Sequence, residues 1–195
     1  MPKAKLDDLE KVEVSSTTEL RSWFEKNHAQ KESIWLVTYK KTVPNKYVAN
    51  PDVVDEVLCF GWMDGRKMKL DDERTMQLLS PRKTQHWSKT NKDKVARLTK
   101  EGRMHEAGLN SVAASKANGM WDFLNDVDAL IKPDDLGEAL KQHPPALENY
   151  EAFPPSAKRD ILRWIKVAKK PETREKRILK TAQLAAENKR ASGTK

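Results

Sequence analysis

The run Ser33-Ile34-Trp35-Leu36-Val37-Thr38-Tyr39-Lys40 constrains the fold more than any other segment. It reads as a β-strand, and successive side chains of a strand point to opposite faces. Here both faces are apolar, so both need covering, and the strand belongs in the interior of its sheet. Downstream, Asn50-Pro51 reads as an N-cap followed by proline at the first helical position, and Gly61 as the C-terminal stop. Between them Val53, Val54, Val57, Leu58 and Phe60 make an apolar stripe. Trp62 to Lys69 and Arg74 to Ser80 then read as two strands of a β-hairpin joined across Leu70-Asp71-Asp72-Glu73. Two-residue and three-residue loops fit equally well, and they aim the side chains differently. The strand–helix–hairpin order allows strand 33–40 to pair with the hairpin.

Around this sheet the sequence is helical. Ser16-x-x-Glu19 is a capping box that opens a helix through Leu20, Trp23 and Phe24 to about His28. Thr90-x-x-Asp93 reads as a second capping box, and its helix ends at Gly102. A helix over about 104–118 should turn Leu109, Val112 and Ala113 inward, and Gly119 stops it. Asp134 can cap a short helix, and Pro144-Pro145 and Pro154-Pro155 bracket another. Two basic helices follow, the first capped by Ser156 with Ile161, Leu162, Trp164 and Ile165 inward. The second starts at Pro171 with Ile178, Leu179, Ala182 and Ala185 inward. The expected fold class is α+β, a small N-terminal antiparallel or mixed sheet with helices followed by an all-helical C-terminal part. The expected division is a partly ordered lead-in at 1–14, an α+β domain at 15–103, a helical region at 104–188 and a frayed tail at 189–195.

Charge is placed unevenly. The chain is formally +8, yet residues 156–195 carry 13 Lys/Arg against four Asp/Glu, a net +9, and the remainder is nearly balanced. Such asymmetry points to an anionic partner or to a solvated helical face. No stretch approaches the roughly 20 apolar residues of a membrane span, so no membrane insertion is expected. The first ten residues alternate Lys and Asp without an apolar core, so no secretory signal is expected either. With one cysteine, Cys59, there is no intrachain disulfide framework, and a reducing, cytoplasmic setting is the simplest fit.

The segment Leu58-Cys59-Phe60-Gly61-Trp62-Met63-Asp64 resembles the YdeI/OmpD-associated, or bacteriocin-protection, family. The resemblance continues through Leu70-Asp71-Asp72-Glu73-Arg74, Ser80-Pro81-Arg82-Lys83, Trp87-Ser88-Lys89 and Gly102-Arg103-Met104. It resumes at Phe153-Pro154-Pro155-Ser156, Arg163-Trp164-Ile165 and Lys170-Pro171-Glu172-Thr173-Arg174, covering roughly residues 18–188. Several separated motifs in order are more specific than one. What the resemblance implies is an association with bacteriocin or envelope-stress tolerance; it implies no reaction and no catalytic residues.

For a site, an extended Trp62–Met68 puts Trp62, Asp64, Arg66 and Met68 on one face. With Arg82, Lys83, His86, Trp87 and Ser88 from the following loop, these residues can build a polar pocket for a carboxylate or phosphate. The competing reading makes Asp64–Arg66 or Asp64–Arg82 a structural ion pair and both tryptophans core. His28, His86, His105 and His143 sit in no metal-ligand spacing, so neither metal nor cofactor is expected. Cys59 reads as a buried, inert thiol. The C-terminal cations Lys158, Arg159, Lys166, Lys170, Arg174, Lys176 and Arg177 could instead meet a polyanion. Three functions stay open. The first is a non-enzymatic binding or stress-protection protein with an anionic small-molecule or protein partner. The second is a nucleic-acid-binding module on the basic helices. The least supported is a cryptic enzyme centred on Asp64, Arg66, Arg82 and Trp87.

Overall fold

The structure is a computed structural model and describes residues 6–191. They form two compact units that divide between Asp122 and Phe123. The sequence reading placed its boundary near residue 103. The helix after that point instead packs in the first unit, for a reason given below.

In the first unit a four-stranded mixed sheet has the order β1-β2-β4-β3. Its strands are β1 (Lys11–Glu13), β2 (Ile34–Tyr39), β3 (Trp62–Lys69) and β4 (Arg74–Pro81). β2 is buried along almost its whole length and lies between β1 and β4, as its two-faced apolarity requires. Within the lead-in expected to be partly ordered, β1 is a strand that the sequence did not show. Val12 and Val14 are buried between charged neighbours, and β1 pairs parallel to β2 with Val12 opposite Leu36. Two valines are too short a pattern for a period to show. Residues 1–5 of the lead-in lie outside the described part.

The hairpin pairs antiparallel, but its register shifts between Asp64 and Lys67. Gly65 and Arg66 together face the single residue Leu78, a β-bulge. Up to the bulge, Trp62 and Asp64 share the face of Leu79 and Gln77, and Lys67 returns to that same face after it. Arg66 crosses over and sits 5.6 Å above the ring of Trp35, whose partner is Leu78. The expected shared face of Trp62, Asp64, Arg66 and Met68 is therefore split.

Helix α1 (Thr17–Asn27) is capped by Ser16, whose hydroxyl accepts from the Glu19 amide at 3.1 Å. The Glu19 carboxylate closes on the amide and hydroxyl of Ser15, one residue earlier than in a capping box. Helix α2 (Asn50–Cys59) takes Ala49 as its N-cap, with Asn50 already helical. Helix α3 (Lys89–Lys100) is capped by Ser88, not Thr90, and α4 (Glu106–Ala117) by His105. On α4 the buried residues are Gly108, Val112 and Ser115, whereas Leu109 and Ala113 are exposed. The expected apolar stripe is rotated because α4 meets α2 through its glycine. A Cβ at Gly108 would lie 2.2 Å from the Cys59 carbonyl oxygen, which also accepts from the His105 amide. Only glycine permits so close a backbone approach. This contact holds α4 in the first unit.

Helix α2 also buries two adjacent carboxylates. Asp55 bonds Lys94 at 2.8 Å and also Arg97. Glu56 bonds Arg21 at 2.9 Å and Arg103 at 2.7 Å. Both carboxylates are at most 5% exposed.

The second unit is helical: α5 (Asn125–Asp128), α6 (Asp134–Lys141), α7 (Ala146–Ala152), α8 (Pro155–Lys166) and α9 (Pro171–Ala186). Its core joins Leu136, Leu140, Tyr150, Ile161, Ile165 and Ala182. Pro154, not Ser156, is the N-cap of α8, and Pro133, not Asp134, that of α6. Leu179 faces solvent, as the helical period carries it away from Ile178, Ala182 and Ala185. Ala191, expected in a frayed tail, is buried in this core, and residues 192–195 lie outside the described part.

Two outcomes test the clamp on α2. Replacing Arg21 and Arg103 together by alanine strands Glu56 as an unpaired buried charge, which should cost about 3 kcal/mol in urea unfolding. Adding Glu56→Gln should recover part of that loss. Acid titration tests Asp55. Burial opposes its ionisation, but the hydrogen bonds from Lys94 and Arg97 outweigh burial and hold its pKa below the ordinary aspartate value. The stabilisation is present above that value and is lost as pH falls through the lower folded pKa. Asp55→Asn should therefore flatten the fall in stability below about pH 4.

Candidate functional site

The end of α1, the α2–β3 junction, the end of β4 and one face of α4 enclose a cavity of about 470 Å³ in the first unit. Two of its lining residues are aromatic and almost wholly buried. Phe60 is 2% exposed and stacks between Phe24 and His105, with ring centroids 5.2 Å and 4.8 Å away. Trp62 is 1% exposed and donates its indole N–H to the His28 carbonyl at 2.9 Å. Gly61 joins them with φ +72°, and a side chain there would meet the Ala107 carbonyl at 2.9 Å. The far wall is the Ala107, Ser111 and Ala114 face of α4, one helical stripe of small residues.

The rim is cationic, with Lys31, Arg82 and Lys83, and none of the lining residues is acidic. Arg82 is the unusual member. Its guanidinium lies 3.8 Å from the centroid of the Trp87 ring. Its Nη1 reaches the carbonyls of Gln85 and His86 only at 3.5 Å, and its Nε is buried without a partner. Burial lowers its pKa to about 10, while the charge of Asp64 acts in the opposite direction. An arginine held this way keeps its charge at neutral pH and is short of acceptors.

The residues expected to form the pocket separate. Trp62 and Arg82 line it. Asp64 stays on the core face of the sheet and accepts from Gln77 Nε2 at 3.3 Å. Arg66 is on the other face, exposed over Trp35. Trp87 is fully buried against Arg82 and Trp121, with its indole nitrogen unpartnered. Ser88 is occupied as the α3 cap, accepting from the Asn91 amide at 3.4 Å. Neither Asp64–Arg66 nor Asp64–Arg82 forms an ion pair among the described residues.

Sequence reasoning missed Lys31, His28 and the α4 wall, because they come from segments far apart in the chain. His28 lines the cavity, and its ring lies 4.6 Å from that of His105. A backbone carbonyl can only accept, so the 2.9 Å contact to Phe24 O fixes the proton of neutral His28 on Nδ1. His105 Nδ1 accepts from the Ala107 amide at 3.2 Å, which places its proton on Nε2. Among the described residues no cluster of three or more His, Cys, Asp or Glu side chains is arranged to hold a metal ion. Nor is any helix long and apolar enough to cross a membrane.

On the basic helices, three of the seven candidate cations are ion-paired within the second unit. Lys158 meets Glu151, Lys166 meets Asp126 and Arg174 meets Asp135. Arg177 donates to the Trp164 carbonyl and lies over the Trp164 ring. Arg159, Lys170 and Lys176 are exposed.

Residues 12–111, just over half of the chain, match the family model described as Domain of unknown function (DUF8412). The chain belongs to that family. Residues 129–188 match a second model, Bacteriocin-protection, YdeI or OmpD-Associated, which bears out the family resemblance read from the sequence. That match lies wholly within the second unit. The Cys59–Asp64 and Trp87–Lys89 motifs fall within the DUF8412 span. The two spans lie on either side of the division at Asp122 and Phe123. Neither the curated proteins nor the solved structures include a significant match.

Cys59, on α2, is fully buried. Burial first, and the nearby Glu56 charge second, push its thiol up to about 11. The thiolate is the reactive form. A disulfide exchange reagent should therefore leave native protein unlabelled at pH 8 and label it fully in denaturant. Stoichiometric labelling of the native protein within seconds would contradict this placement.

Proposed function

We propose that this protein is a non-enzymatic binding module whose DUF8412 domain captures a small anionic ligand in the cavity beside Arg82. The observation that carries the reading is the rim itself. Lys31, Arg82 and Lys83 all line the cavity with no lining carboxylate to neutralise them, and Arg82 is half-buried with an unpartnered Nε. Planar guanidinium groups pair with carboxylate and phosphate through parallel hydrogen bonds, and partial desolvation strengthens such pairs. A volume near 470 Å³ is within the range of small-molecule sites.

The description of the second family, bacteriocin protection, supports a role in stress tolerance, with the captured anion as its signal or its cargo, and the single cysteine fits a reducing, cytoplasmic setting. The basic helices carry the alternative, nucleic-acid binding, less far. Four of their seven candidate cations are already engaged within the second unit.

Amide chemical-shift titrations with acetate, phosphate and benzoate at constant ionic strength test the proposal. Shifts should concentrate at Lys31, Trp62, Arg82 and Lys83. Arg82→Gln should weaken binding at least ~10-fold, in keeping with the value of a charged hydrogen bond. Shifts confined to Arg159, Lys170 and Lys176 would move the anion site to the basic helices and retire the cavity reading.

A further inference from the structure

We infer that the ligand of this cavity is a dianion, a doubly charged oxyanion of the phosphate monoester or small dicarboxylate type. The inference rests on the anion-binding reading above and adds the charge of the ligand.

Elsewhere in the first unit cations are paired. Arg21, Arg74, Lys94, Arg97 and Arg103 each meet a carboxylate within ion-pair distance. Among the described residues Lys31, Arg82 and Lys83 do not, and all three line one cavity that has no acid in its lining. Two carboxylates close to them in the fold are engaged in other ways. Glu32 accepts from the backbone amide of Lys31 at 3.1 Å, not from its ammonium group. Asp64 accepts from Gln77 and acts on Arg82 through its charge, without a hydrogen bond.

Three like charges around one cavity repel one another, and a bound anion relieves that repulsion in proportion to its own charge. A monoanion leaves two of the three uncompensated, and a dianion leaves one. Lys31 and Lys83 are exposed, so water and salt screen them. Arg82 differs. Burial lowers its pKa to about 10, so at neutral pH it keeps its charge in surroundings that solvate it poorly. There an added negative charge is worth more than it is in open water.

The donors suit the same class. A guanidinium pairs with two oxygens of one group, which is all that a single carboxylate offers. A phosphate monoester has a third terminal oxygen, and a dicarboxylate has a second carboxylate, left for the lysines. Ser111 adds a hydroxyl to the lining that can donate to the same group.

Methyl phosphate and methyl sulfate test the charge at nearly constant shape. At pH 8 the phosphate ester is a dianion, whereas the sulfate ester is a monoanion. In calorimetric titrations of the full chain at constant ionic strength, methyl phosphate should bind at least ~10-fold more tightly. The ratio should fall toward one at pH 5, because a phosphate monoester takes up a proton near about pH 6. Any charge on His28 in the lining, or on His105 beside it, acts on both esters, so the ratio reports the ligand. Lys31→Gln combined with Lys83→Gln, both at exposed positions, should lower the ratio at pH 8 at least ~3-fold without unfolding the chain. Succinate against acetate repeats the comparison for carboxylates, and the tighter of succinate and methyl phosphate identifies the class. Amide shifts at Lys31, Arg82 and Lys83 locate the binding. Ratios near one for both pairs at pH 8, with shifts at the cavity, would overturn this inference and leave the anion-binding reading intact. A ratio unchanged in the double variant would also overturn it, since the second charge would then be met elsewhere. No binding of any of the four anions would overturn both.

Discussion

Asp55 and Glu56 stand next to each other on α2, and neighbours on a helix point about 100° apart. One therefore reaches α3 through Lys94 and Arg97, and the other reaches α1 through Arg21. Arg103, between α3 and α4, closes on Glu56. Carboxylates this buried are costly unless paired and hydrogen-bonded, so α2 can be buried only with all of these partners in place. The same helix packs Val53, Val57 and Leu58 into the core, so charge and apolar burial fix its position together. From Cys59 onward its carbonyl receives the His105 amide, and Gly108 lets α4 close against it. The cavity inherits its lining at Phe60 and Gly61 and its far wall from that arrangement.

Much of the charge in the protein is used internally. The +8 total suggests an unoccupied basic surface, yet lysines and arginines of α8 and α9 largely answer carboxylates of α5, α6 and α7 or lie over Trp164. Exposed pairs of this kind contribute little stability, but they leave fewer cations for a polyanion. The rim of the cavity is different. Arg82 rests on Trp87, and its buried Nε has no acceptor. A cation already stripped of part of its water, with geometry fixed by a stacked ring, gains more from an arriving anion than a solvated lysine does.

The two family models and the two compact units tell one story of organisation. The DUF8412 match ends at residue 111 and the bacteriocin-protection match begins at residue 129, and the structural division lies between. Two family segments are carried in one chain, and the cavity belongs entirely to the first.

The sequence by itself determined the α+β class, the interior place of Ile34–Tyr39, the hairpin and the apolar stripes of α2 and α8, because these follow from local periodicity. It also singled out Trp62 and Arg82, which both line the cavity, and read Cys59 as buried. What it could not fix was the register of the hairpin. The bulge at Gly65–Arg66 adds one residue to β3, and since side chains alternate, that residue sent Arg66 to the opposite face from Asp64. Nor did it show the inward face of α4, which turns on a backbone contact at Gly108 rather than on an apolar stripe. The partners that complete the site, Lys31, His28 and the Ala107–Ala114 face, are tens of residues from Arg82 in the chain. Only the tertiary structure brings them together, because long-range packing of α1 and α4 around α2 leaves no periodic trace in any one segment.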